Sequence, residues 1–477
     1  MPDFSYRVVL PLAIAFGFAA TPGMSHGASV TPNPPSTVCL NGSNCASTKS
    51  ASSAAIKWHP GQYMSSNIYT TLGNVDGPGN AAGAEKAAEI AIVRAGPAQV
   101  LGWEGFYMAR ALYNAGGTDI DGSSAGSGLD ADYVAITGYT NVGKTTSAVY
   151  NSPRRMGVYI LHSDYFNVNP AGRCEPDFML NNSAFGAGPS GATPYGWWTT
   201  TGATSESGGS VIALWRPSVE VQYAAMLTAL ANHVLPDGYT VDTSPYIEWV
   251  KLYLESTDVP EGASDSTFSD SGYVTQLETL NAAAKKAFPH TNVASTFNYL
   301  NIASDAVAFG NSFPGTRTAF SGPDTFGASS GQTIPSGGGL AGYTWGQAVY
   351  AGQLPPSGNA FTTPWVSGGT SKKGVVPYIA TVEGTELIPS YGNYFAPADI
   401  FNQLQNLQAT HASWNYLTSG QSGSTSLPAA TANWFGTASS QANWSASNSN
   451  GVLATIVNSR LSNTSCPSSY TNGCNTN

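Results

Sequence analysis

The amino-acid sequence predicts an α/β fold in which eight parallel strands, joined by crossover helices, close into a (β/α)8 barrel with long loop insertions. Three observations carry that prediction. Short apolar or aromatic runs recur eight times between residues 55 and 416, segments of helical period separate several of them, and Gly/Ser/Pro-rich stretches fill the remainder. The chain is also large enough for such a core: 42% of its 477 residues are hydrophobic and only 10% are charged, the composition of a globular protein.

The strands are placed at residues 55–58, 100–106, 157–162, 249–255, 292–297, 316–321, 376–383 and 411–416. Helices are expected at residues 84–94, at 219–234 with Pro217 placed to start it, at 274–288 and at 398–407. In the third of these, Val274, Leu277, Leu280, Ala284 and Phe288 recur at helical spacing. The segments after the second, fifth and sixth strands carry little helical pattern. Long polar stretches at residues 114–153, 167–210 and 325–374 hold Trp197, Trp198, Trp345 and Trp365, which points to packed lids or cleft walls. No internal repeat is visible.

Residues 1–28 have the layout of a cleaved export signal: Arg7, an apolar run over residues 8–20, then small residues up to Ala28, with cleavage near Ala20 or near Ala28. The run is too short to span a bilayer comfortably. Residues 29–53, rich in Pro, Ser, Thr and Asn, are expected to form a linker or arm, and residues 54–477 the barrel domain. No other segment is apolar enough to cross a membrane, so a soluble, secreted mature protein is expected. Cysteine usage agrees with export: Cys39 with Cys45, and Cys466 with Cys474, are expected to close two small terminal disulfides, leaving Cys174 as a free thiol. No Cys or His spacing resembles a zinc site, and neither metal nor cofactor is called for.

A net charge of −10, from 18 basic and 28 acidic residues with no basic run, disfavours nucleic acid as a partner. Few charges, many neutral hydroxyls and amides, and 11 Trp, 24 Tyr and 18 Phe suit a carbohydrate partner. Sugar C–H faces rest on aromatic rings, and sugar hydroxyls need neutral hydrogen-bonding groups.

Reactive residues of a parallel barrel stand at the carboxyl ends of its strands, where loops vary while the strands hold position. Candidates for the cleft wall are Trp58 and His59 at the first strand, Trp103, Glu104 and Tyr107 at the second, and His162 at the third. Trp215 and Arg216 follow before the next helix, where Arg216 could hold a carboxylate with a two-pronged hydrogen bond. The fourth strand runs into Glu255 and Asp258, the fifth into Asn298, the sixth into Asp324, and the eighth offers His411 and Trp414. Burial at a strand end raises a carboxyl pKa, which suits Glu255 to general acid work. The seventh strand ends in Glu383, the preferred second carboxylate, with Glu386 as its rival.

This arrangement resembles the glycoside hydrolase clan A superfamily, barrels with one glutamate ending the fourth strand and one ending the seventh. The resemblance covers residues 55–460 in layout. It implies Glu255 as acid/base, Glu383 as nucleophile and Trp414 as a sugar platform, in a retaining hydrolysis whose carboxyls stand roughly 5 to 5.5 Å apart. Leu254 occupies the position before Glu255 where such enzymes usually carry Asn.

Two further readings are kept: a non-catalytic polysaccharide-binding surface protein on the same scaffold, and a polysaccharide lyase using His59 or His162 with Tyr107 or Tyr165. A serine hydrolase is excluded because no G-x-S-x-G elbow follows a strand. The Gly138 and Gly143-Lys144-Thr145 spacing matches a phosphate-binding loop only in part and lacks its strand–helix context.

Overall fold

The computed structural model describes residues 49–51, 53–65, 90, 93–94, 96, 98–114, 128–140, 143–144, 154–164, 175–188, 195–199, 210–254, 265–322, 325, 343–355, 365–382, 397–415, 455–456 and 459–476. Eight strands close a parallel barrel in chain order: β1 (Gly61–Ser65), β2 (Val100–Met108), β3 (Arg155–Leu161), β4 (Ile247–Tyr253), β5 (Asn292–Thr296), β6 (Ala319–Gly322), β7 (Tyr378–Val382) and β8 (His411–Asn415), with β8 pairing back to β1. The fold is therefore a TIM barrel. Around it stand α1 (Ala109–Asn114), α2 (Leu129–Thr137), α3 (Pro217–Ala231), α4 (Asp270–Ala287), α5 (Ala303–Thr316), α6 (Trp345–Tyr350) and α7 (Pro397–Asn406).

Seven of the expected strands coincide with barrel strands to within a few residues. The first does not. Ile56–Lys57 pairs in parallel with Cys474–Asn475 outside the barrel, and the barrel begins at Gly61. The chain tail accounts for the difference. A disulfide between Cys466 and Cys474 folds the tail back, and Trp58 packs edge-on against Tyr470 while its indole N–H donates to the Thr464 carbonyl. Ile56 and Trp58 are thus apolar because they pack with Tyr470 at the amino-terminal end of the barrel, while Lys57 between them donates to the carbonyls of Asp242 and Ser244. Cys39, Cys45 and Cys174 lie outside the described residues, as do the expected export signal and most of the expected helix at 84–94.

The helices at 219–234, 274–288 and 398–407 are present as α3, α4 and α7, each starting two to four residues or one residue earlier than its apolar period. Pro217 stands in the first turn of α3, and the Ser269 hydroxyl accepts from the Gly272 N–H to start α4. The weakly marked segments are also helical. In α5 the helix-poor Gly310 is required by packing, since a Cβ there would lie 2.5 Å from Val349. In α6 a capping box of Thr344 and Gln347 begins a helix whose residues are all buried. No helix among the described residues is long and apolar enough to cross a membrane.

Candidate functional site

Strand register sorts the barrel interior into layers contributed by alternate strands, the arrangement expected of this fold. Near the amino-terminal end the layers are mostly apolar, with Tyr63, Trp249, Ala294, Ala319 and Ile379 in one buried cluster. Two inward glycines leave room for it: a Cβ on Gly157 would come within 2.2 Å of the Trp249 indole nitrogen. Above that floor the inward positions turn polar. Glu104, Lys251, Ser321 and Ser413 come from the even strands; Ser65, Tyr159, Thr296 and Thr381 come next from the odd ones; Phe106, Tyr253 and Asn415 lie nearest the carboxyl end.

The centre of this polar region is an ion pair. Lys251 Nζ stands 2.7 Å from Glu104 Oε2, and both side chains are fully buried. The same oxygen accepts from the Trp249 indole at 2.5 Å, while Oε1 accepts from Ser413 at 2.8 Å and from Thr381 at 3.2 Å. Lys251 also donates to Thr381 Oγ1 at 2.6 Å and lies 5.4 Å from the ring centres of both Tyr159 and Trp249. Burial holds the Lys251 amine below its ordinary pKa, and Glu104 pulls in the opposite direction. Side chains of β2, β4, β7 and β8 thus meet at one point. Higher up, Ser65 Oγ donates to Asn415 Oδ1 at 2.5 Å. Asn415 Nδ2 and Thr296 Oγ1 are buried with no partner among the described residues, so they are open to a water or a ligand hydroxyl.

The expected cleft residues are dispersed. Glu255, Asp258, Asp324, Glu383 and Glu386 lie outside the described residues. Trp58, His59 and His411 belong to the amino-terminal end, not to the carboxyl mouth. The shifted first strand puts His59 before β1, and His411 opens β8 instead of closing it. There Glu248 accepts from His59 Nδ1 at 2.8 Å, with His411 Nε2 at 3.4 Å and Arg155 at 3.8 Å. Burial raises the Glu248 carboxyl, but His411 and His59 outweigh it and hold the pKa well below its ordinary value. Burial lowers the pKa of His411.

Trp103, Tyr107 and Trp414 have the wrong strand parity for a cleft and face outward into the helix layer. Tyr107 donates to Asp132 of α2 at 2.7 Å, and the Trp414 indole donates to Gln62 at 3.1 Å, so Trp414 is no platform at the mouth. Asn298 is buried beside Gly322, its carbonyl accepting from Gly346 at the start of α6. His162 packs between Tyr223 and Tyr253, and burial alone lowers its pKa to about 3. Trp215 and Arg216 do hold a carboxylate, that of Asp265 in the segment after β4: the indole donates at 2.9 Å, Arg216 Nε at 3.1 Å and Nη2 at 2.5 Å. Arg216 also donates to the carbonyls of Phe185 and Ala187, tying the insertion after β3 to the segment after β4.

Of this pair Glu104 is a candidate from the sequence, at the second strand, but Lys251 is not. The available signal was parity: Gly102, Glu104 and Phe106 alternate with apolar or aromatic residues, as do Trp249, Lys251 and Tyr253, placing opposite charges on the inward faces of two strands. No group of His, Cys, Asp or Glu among the described residues is arranged to hold a metal ion.

No family model and no curated protein matches this chain. Among solved structures, a GH36 alpha-galactosidase, AgaA from Geobacillus stearothermophilus in complex with 1-deoxygalactonojirimycin, is similar at 12% identity and a TM-score of 0.29, over 74% of this chain and 42% of the galactosidase. This chain therefore spans less than half of that protein. TcOYE with pHBA is similar at 7% identity and a TM-score of 0.36, over 75% of this chain and 85% of the other. Likenesses this distant assign no chemistry.

Proposed function

We propose that this protein is an exported glycoside hydrolase acting on a poly- or oligosaccharide by a retaining mechanism, with Glu255 as acid/base and Glu383 as nucleophile. One observation carries the reading: β4 and β7 send side chains to a common point, with Lys251 Nζ and Thr381 Oγ1 2.6 Å apart. In the sequence Glu255 follows Lys251 by four residues and Glu383 follows Thr381 by two, while Glu386 follows Thr381 by five. The buried rings of Phe106, Tyr159 and Tyr253 lie toward the carboxyl end of the barrel interior, and buried Ser65, Thr296 and Asn415 add neutral hydrogen-bonding groups of the kind sugar hydroxyls need. The Cys466–Cys474 disulfide suits an oxidising compartment.

In this mechanism Glu383 attacks the anomeric carbon while Glu255 protonates the departing glycosidic oxygen. Glu255 then deprotonates the water that releases the sugar with retained configuration. The test is hydrolysis of a panel of aryl glycosides and polysaccharides, with product anomers read by NMR. Loss of turnover in both Glu255→Gln and Glu383→Gln is expected; full activity in both overturns the assignment.

One observation favours a non-catalytic polysaccharide binder instead: the position before Glu255 is Leu254, a buried side chain with no amide for a sugar, its backbone N–H donating to the Thr296 carbonyl of β5. That reading expects saturable sugar binding with no turnover. Of the lyase residues, His59 lies at the opposite end, Tyr107 faces outward and His162 is buried against aromatic rings, while Tyr165 lies outside the described residues.

A further inference from the structure

A second polar feature lies between the carboxyl ends of α4 and α5 and the tail residue Tyr470, near the amino-terminal end of the barrel. A pocket of about 340 Å³ is lined there by Lys285, Lys286 and Arg317, and by no acid. Such a grouping stands out in a chain with 18 basic residues and a net charge of −10.

A plainer account has the cations offsetting the carboxyl-end dipoles of α4 and α5, which amount to about half a negative charge each. Three cations against about one negative charge leave a surplus. Lys285 donates to the carbonyls of Phe288 and Thr291 and lies 5.8 Å from the Tyr470 ring centre, but no carboxylate bonds it. The side chains of Lys286 and Arg317 are exposed and make no hydrogen bond or ion pair among the described residues. Arg317 also adopts a left-handed backbone, φ 59°, at the C-cap of α5. Glycine is the favoured residue for that conformation, and any other side chain there costs about 1 kcal/mol. Dipole compensation alone does not require a cation at a strained position. A ligand that needs the guanidinium fork does.

We propose that this pocket binds an oxyanion, a sulfate or phosphate group held by the Arg317 fork and the two ammonium groups. It is separate from the barrel mouth and independent of the hydrolase reading. The charged groups around Lys285 are Asp242, which favours its protonated form, and Lys57 and Arg317, which oppose it; burial is the largest influence and lowers the amine to about 7. Affinity for an anion therefore falls as pH rises through neutrality.

The test is calorimetric titration of the full chain with sodium sulfate against a chloride background of equal ionic strength, at pH 6 and pH 9, where sulfate itself does not titrate. Binding in the wild type, weakened about tenfold or more in Lys286→Ala/Arg317→Ala and weaker at pH 9, is expected. Absence of binding in the wild type, or equal binding in the double variant, overturns the proposal. Both substitutions are at exposed positions, and an unchanged thermal midpoint in chloride verifies that the variant folds. Sulfated dextran separates the two sources of the group: tighter binding than free sulfate at this site assigns a polymer-borne anion, and equal affinity per sulfate assigns the free ion.

Discussion

Removing one partner of the Glu104–Lys251 pair exposes how the barrel interior is held. In Lys251→Met the Glu104 carboxylate stays fully buried and loses its cation, keeping hydrogen bonds from Trp249, Thr381 and Ser413. Breaking a buried pair on one side costs about 3–5 kcal/mol, because the remaining charge has no route back to water. The three remaining donors place the expected loss toward the lower end, about 3 kcal/mol. Glu104→Gln strands the ammonium in the same way and is expected to cost a similar amount. The double variant Glu104→Gln/Lys251→Met removes both charges and leaves a neutral amide among hydroxyls. Its loss should be smaller than the sum of the single losses by about 2 kcal/mol or more. Urea unfolding followed by tryptophan fluorescence reads all four proteins. Single losses below about 1 kcal/mol, or strictly additive losses in the double variant, would refute the assignment of this pair as the central tie between β2 and β4.

Other outcomes follow from the same geometry. His162 has a folded-state pKa of about 3 against an ordinary 6.5, so between those values the unfolded chain takes up a proton that the folded chain refuses. Stability should fall as pH falls through that window, by about 2 kcal/mol from this residue at pH 5, and His162→Phe should flatten the dependence measured by urea unfolding. Gly157→Ala places a methyl 2.2 Å from the Trp249 indole nitrogen and should lower stability by about 1–3 kcal/mol, with a shift in tryptophan emission; an unchanged midpoint and spectrum would contradict the packing described. Replacing Cys466 and Cys474 together by Ser opens a loop of sequence separation 8 and should cost about 2.5 kcal/mol by loop entropy, read as a lower thermal midpoint than that of the oxidised parent.

The barrel was legible because its strands are short apolar runs, and buried parallel strands need them. The pattern located β2 through β8 from residue identity alone. It failed at β1, because Ile56 and Trp58 flank Lys57 with the look of a strand, and only the disulfide-tethered tail that pairs with them reveals their role. That shift moved His59 from one end of the barrel to the other. Helix α6 carried a readable signal in Thr344 and Gln347, obscured by the glycine-rich stretch before it. Helix α5 carried less, because Gly310 and Pro314 lower its propensity and tertiary packing overrides them.

What the sequence determined by itself is the class of fold, the order of its strands, and the presence of acids directly after β4 and β7. Each depends on local periodicity or on covalent neighbours. The tertiary structure decided which way each side chain faces and what it meets. Trp414 and Tyr107 turned outward by parity, His411 fell at the start of a strand, and Glu104 and Lys251, 147 positions apart in the chain, met at 2.7 Å because closure of the barrel brings β2 and β4 to one axis.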